Sequence, residues 1–202
     1  MERTDEVHIE KKIFKFRRKF IYTAAVAGLS GLFMKEVEGA SKKMKKNKIL
    51  DRNDRFDIGG GGEEIINKSY DLGYMYEKNH GGCARCSVGA LQDSIDFIPE
   101  NKSILRGASC LDGGATPTKK ANCGAFTGCG MVIGELCGTD TYGDTSLSHE
   151  LILKLHTKFE QEHGGVLCSE VRESMDADCP EVVGLAVKWT AEILLKQFTN
   201  YT

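Results

Sequence analysis

The chain has 202 residues, 41% of them hydrophobic, which suffices for one globular domain with a buried core and leaves some sequence over. Net charge is only -2 but unevenly spread: residues 1–48 carry 13 Lys and Arg against 6 Asp and Glu, leaving 14 against 23 in the rest. An acidic body argues against nucleic acid as a partner, since phosphate binding depends on a basic face, and eight cysteines are too sparse for a small disulfide scaffold.

In chain order, Lys15 to Phe33 comes first, with a basic opening, the pair Arg17-Arg18 and an apolar stretch from Ile21. That stretch falls short of the roughly 20 residues that cross a bilayer. Its layout resembles a twin-arginine export signal, with Phe16 and Tyr22 departing from the usual residues. The expected division is a signal peptide over residues 1–40, a basic and Gly-rich linker over 41–62, and a helical Cys-rich domain over 63–202. An uncleaved leader would act as a membrane tether.

The body reads as helices. Glu63 to Asn79 has Ile65, Ile66, Tyr70, Leu72 and Tyr76 at helical spacing and is closed by Gly81-Gly82. A second segment starts at Cys83 and runs through Val88, Leu91 and Ile95 toward Pro99, and Lys102 to Cys110 is a short third. Asn122 is expected to cap a fourth, apolar helix through Leu136, in which Gly124, Gly128, Gly130 and Gly134 let a neighbouring backbone or a ligand come close. Ser148 to His163 is amphipathic, with Leu151, Leu155 and Phe159 inward and His149, His156 and His163 on what reads as a solvated stripe. Pro180 opens the last helix at a favoured first-turn position. With no strand-like alternation, the fold class is all-α: one compact domain of about five to seven helices.

Cys83-x-x-Cys86 poses the functional question. Covalent c-type haem needs His after the second Cys, and Ser87 stands there, so no haem c is expected. A thioredoxin-like pair needs a preceding strand, and a zinc ribbon needs a second matching pair. An iron–sulfur cluster accepts thiolates from scattered helices and loops, and Cys83, Cys123 and Cys179 fall at helix starts, where backbone N–H groups favour thiolate. Cys110 and Cys129, on apolar segments, read as small core residues. No phosphate loop and no Gly-x-Ser-x-Gly elbow is present.

The run Asn122 to Gly128, "NCGAFTG", followed by Cys168 and by Cys179-Pro180-Glu181, resembles the C_GCAxxG_C_C family, named for its cysteine pattern and described as redox-active. The likeness runs from about Gly82 to the C-terminus. It also extends to the non-haem part of split-Soret cytochromes. Carried over position by position, it implies Cys86, Cys123, Cys168 and Cys179 as ligands of an iron–sulfur cluster of unspecified nuclearity, with Cys83 as a spare or alternate ligand or as half of a redox pair with Cys86. The family itself has no firmly assigned reaction; together with the leader, the expectation is an exported electron-transfer protein, periplasmic or otherwise outside the cytoplasm, with the twin-arginine export machinery and a redox protein as partners and a homodimer compatible. The competing expectations are a thiol–disulfide or disulfide-stabilised protein and a zinc-stabilised binding module.

Overall fold

The computed structural model describes residues 48–116 and 118–202, so the expected export signal lies outside the described residues. The described residues form seven helices and no strand: α1 (Gly62–His80), α2 (Cys83–Ser94), α3 (Lys102–Gly107), α4 (Gly124–Cys137), α5 (Ser146–His163), α6 (Cys168–Ser174) and α7 (Cys179–Phe198). The all-α reading holds. None of these helices is long and apolar enough to cross a membrane.

Local chemistry explains where the helices begin and end. Glu63 and Glu64 sit in the first turn of α1 and Lys78 and His80 in its last, complementing the helix dipole. The Asn101 side chain accepts from the N–H groups of Ser103 and Ile104 to start α3. Asp178 caps α7, with Pro180 in its first turn. Gly164, at φ 76°, ends α5. One boundary departs from expectation: the residue capping α4 is Cys123, not Asn122. Asn122 instead forms an antiparallel bridge with Leu167.

The last helix is the hub. α7 packs on α1, α2, α4 and α5, burying Val183, Ala186, Val187, Leu194, Leu195 and Phe198. α1 lies along it, tied by the Tyr70 hydroxyl donating to Glu181 at 2.5 Å. Part of the expected linker also joins this body. Leu50 is buried and its N–H donates to Leu136, while Phe56 donates to Phe198 and stacks on Phe97.

The approach of α2 to α4 sets the functional end. A Cβ on Gly128 would lie 2.3 Å from the Ala84 carbonyl oxygen, and one on Gly124 would lie 2.3 Å from Cys83 Sγ. A side chain at Gly128 would have to move the backbone of Ala84 and one at Gly124 would have to displace the Cys83 thiol, so Cys-Gly-Ala-x-x-Gly is a helix-crossing motif. Gly134, by contrast, faces open space.

The histidine stripe differs from its expected solvation. His149 is exposed, His156 is half-buried with its ring against Phe126, and His163 is 5% exposed, beside Phe159 and Trp189. A seven-residue step drifts by about 20° on a straight helix, and α6 folds over the end of α5, so the third histidine is covered.

Gly128→Val should cost about 1–3 kcal/mol in urea unfolding through overpacking, whereas Gly134→Ala should leave stability unchanged or raise it. Equal effects at both positions would remove the crossing motif from this account.

Candidate functional site

At the end of the domain where α2, α4, α6 and α7 begin, a cavity of about 220 Å³ opens, and Cys83, Cys123, Cys168 and Cys179 line it. Each thiol stands at a helix start: Cys83, Cys168 and Cys179 are first residues of their helices and Cys123 is the cap of α4. Of the expected quartet, Cys123, Cys168 and Cys179 line this cavity. From the Cys-x-x-Cys pair the cavity takes Cys83, not Cys86.

The reason lies in helix geometry. Cys86 is three residues on, about 60° short of a full turn around α2, and so faces α1. Its thiol donates to the Gly81 carbonyl at 3.4 Å and is buried beside Glu77. Cys83 instead lies against Gly124 of α4 and receives the Gly113 N–H.

Two pieces of irregular backbone complete the walls. The chain before α4 pairs with the chain before α6: Cys123 donates to Val166 at 2.7 Å and Cys168 donates to Ala121 at 3.0 Å. This antiparallel contact sets Cys123 beside Cys168. The turn Asp112–Ala115 closes another side, with Gly113 and Gly114 left-handed at φ 58° and 64°. A Cβ on Gly114 would lie 2.5 Å from that of Cys168. Asp112 anchors the turn by accepting the Ala84 N–H at 2.8 Å, with Arg85 at 3.7 Å.

Strain concentrates here. The non-glycine residues with positive φ among the described residues are Ala115, Lys119, Asp176 and Ala177. All four fall in the two segments that border the cavity, one beside Thr116 and Lys119 on its wall and the other leading into Cys179. Such conformations cost about 1–3 kcal/mol each and collect where function demands an arrangement.

The electrostatics can be decided by comparing opposing effects. Helix starts favour thiolate, and Cys123 receives the N–H groups of Ala125 and Phe126. Burial outweighs them. It pushes Cys83 up to about 11 and Cys123 up to about 12, and it is also the main cause of the rise at Cys168. The thiols also disfavour one another's ionisation in a closed ring: Cys179 acts on Cys83 and Cys168, and both Cys83 and Cys168 act on Cys123. In the protein's own field Cys83, Cys123 and Cys168 are all pushed toward the protonated form. The nearest cations only soften this: Arg172 Nη1 donates to Cys179 Sγ at 3.0 Å, and Arg172 with Lys119 opposes the rise at Cys168.

Among the described residues no three His, Cys, Asp or Glu side chains are gathered to hold a single metal ion. The four cavity thiols come from four separate helix starts.

The other cysteines divide in two. Cys129 is fully buried, with burial pushing its thiol up to about 12 against the hydroxyls of Thr190 and Ser87, and Cys137 is buried and donates to Ile133. Cys129 thus behaves as the expected core residue, but Cys110 does not: it is exposed, because the segment after α3 tightens into a 3₁₀ turn, Ala108–Cys110, and turns it outward.

A family model described as "Putative redox-active protein (C_GCAxxG_C_C)" matches residues 82–193, more than half of the chain. The chain belongs to this C_GCAxxG_C_C family. No curated protein and no solved structure matches it. The matched span contains the whole cavity, and the family pattern's Cys-Gly-Ala-x-x-Gly element is here the α2–α4 crossing that seats Cys83 against Cys123.

Sequence reasoning reaches the Gly113-Gly114 turn but misses Asp112 as its anchor, Arg172 and helix α6. Two signals were present: Asp112-Gly113-Gly114 is a turn sequence, and Arg172 follows Cys168 by four residues, the spacing of one helix face.

In the native protein without iron at neutral pH, a water-soluble maleimide should label Cys110 first and Cys129 only on unfolding, read by mass spectrometry of the digest. Fastest labelling at Cys83 and Cys86 would instead mark a reactive dithiol and contradict the thiol assignments above.

Proposed function

We propose that the cavity holds an iron–sulfur cluster on Cys83, Cys123, Cys168 and Cys179, and that the protein is an exported electron-transfer protein. The observation that carries this reading is the convergence of four thiols, drawn from four separate helix starts, on one cavity. Bound there, such a cluster supplies a one-electron site whose potential the surrounding protein tunes.

The chain's own groups fit that role. Thiols that resist ionisation in the protein's own field would give up their protons to water when a cationic centre binds the sulfurs, which makes metal loading pH-dependent. Arg172 then faces a thiolate at Cys179 and Gly113 N–H one at Cys83, each a donor that shifts electron density away from sulfur. The alternative of a thiol–disulfide oxidoreductase needs a thiol of lowered pKa, whereas burial raises Cys83 and Cys86 together. The partner is a one-electron donor or acceptor protein, and Arg17-Arg18 with the apolar stretch after it supports delivery through the twin-arginine route, which accepts a protein already folded around its cofactor.

Alanine at Cys83, Cys123, Cys168 or Cys179 should abolish the visible sulfur-to-iron bands after anaerobic reconstitution, with iron and acid-labile sulfide falling together. Alanine at Cys86 or Cys110 should leave them. Retained bands in the Cys83 variant and loss in the Cys86 variant would move the ligand back to Cys86; a colourless wild type would end the cluster reading. For export, residues 1–48 fused to a folded reporter should deliver it across the membrane, and replacing Arg17-Arg18 by two lysines should hold it in the cytoplasm.

A further inference from the structure

We propose that Glu77 takes up a proton when an electron enters the centre held by the cavity thiols, so that electron and proton transfer are coupled. The inference rests on the iron–sulfur reading above.

Glu77 lies in the last turn of α1, where its carbonyl accepts the Gly81 N–H at 2.9 Å. The Gly81-Gly82 turn folds the start of α2 back against it. Its Oε2 is buried and has no hydrogen-bond partner among the described residues, which makes the charged form of the carboxyl costly there. The groups facing it are the Cys86 thiol and Arg85 from α2 and Asp112 from the glycine turn, and its charge also reaches Cys83. Arg85 does not neutralise it outright, because its guanidinium is engaged by the Gly81 carbonyl at 3.3 Å and the Asp112 carboxylate at 3.7 Å. Burial, then Asp112, raises the Glu77 pKa, while Cys86 and Arg85 lower it.

A carboxylate in that position is poised for protonation. An electron entering through the donor adds one negative charge to the centre bonded to Cys83, and like charge in a low-dielectric site raises the carboxyl's affinity for a proton. The step balances as oxidised centre, one electron, Glu77 carboxylate and one proton from water giving reduced centre and neutral Glu77. By reciprocity the bound proton makes reduction easier.

The test is an equilibrium redox titration of the reconstituted full chain from about pH 5 to about pH 9, with dithionite as electron donor. The wild-type potential should fall with rising pH, by up to about 59 mV per unit, the one-electron value for a tenfold change, and Glu77→Gln should flatten that slope. A loaded wild type with a flat profile, or a Glu77→Gln variant with the wild-type slope, overturns the inference while leaving the cluster in place. Failure of the wild type to take up iron and sulfide overturns the cluster reading itself.

A second readout needs no iron. A raised folded pKa means that the stability linked to Glu77 is present below the unfolded value and is lost as pH rises through the folded one. Glu77→Gln should therefore have a higher urea midpoint than wild type at about pH 8, with the gap closing toward about pH 4. A variant less stable than wild type at the higher pH shows a satisfied carboxylate and overturns the inference independently of the cofactor.

Discussion

The crossing of α2 over α4 is the constraint on which the rest of the site depends. Gly124 and Gly128 bring the backbone of Ala84 and the thiol of Cys83 to where side-chain carbons would otherwise lie. Close packing of this kind forces the two helices to start at the same place, so Cys83 and Cys123 face a common space. The remaining walls follow from contacts made around that point. The antiparallel pairing of Asn122 with Leu167 brings in Cys168, and the start of α7, the helix that organises the core, brings in Cys179.

The energetics of the site run against its parts. Strained residues on both bordering segments raise the free energy of this end of the domain, and burial resists ionisation of the thiols it holds. The stability to hold it comes from elsewhere, chiefly the α1–α7 pairing and the aromatic contacts of Phe159 with Phe126 and Trp189. A rigid scaffold that imposes an unfavourable arrangement on a few side chains is the usual physical signature of a functional site. A cationic centre would favour the thiolate form that burial disfavours, with the protons passing to water.

Within one Cys-x-x-Cys the two thiols occupy different worlds. Cys83 looks into the cavity past Gly124, and Cys86 looks back at α1, with Gly81 and Glu77 as its neighbours. A motif defined by spacing suggests two equivalent partners; a helix rotated by 300° between them does not supply any. The histidines of α5 drift by only about 20° per seven-residue step, and α6 separates them by covering the end of the helix: His149 is exposed and His163 is buried with its Nδ1 3.0 Å from the Ser174 hydroxyl.

The sequence by itself determined the helical class, the start of most helices, the placement of Cys83 and Cys179 at helix starts and the family. These are consequences of local periodicity, capping and Gly or Pro punctuation, which act over a few residues and so are written along the chain. Gly124 and Gly128 were also legible as places where something comes close. Only the tertiary structure decided what came close, that Cys83 rather than Cys86 faces the cavity, that Cys110 is outside, and that Arg172, Asp112 and Glu77 attend the thiols. Those choices depend on the rotation of each helix about its axis and on contacts between residues as distant as Cys83 and Cys179. Burial then reversed the ionisation that helix position alone would favour, because desolvation is a property of the assembled core and not of any one segment.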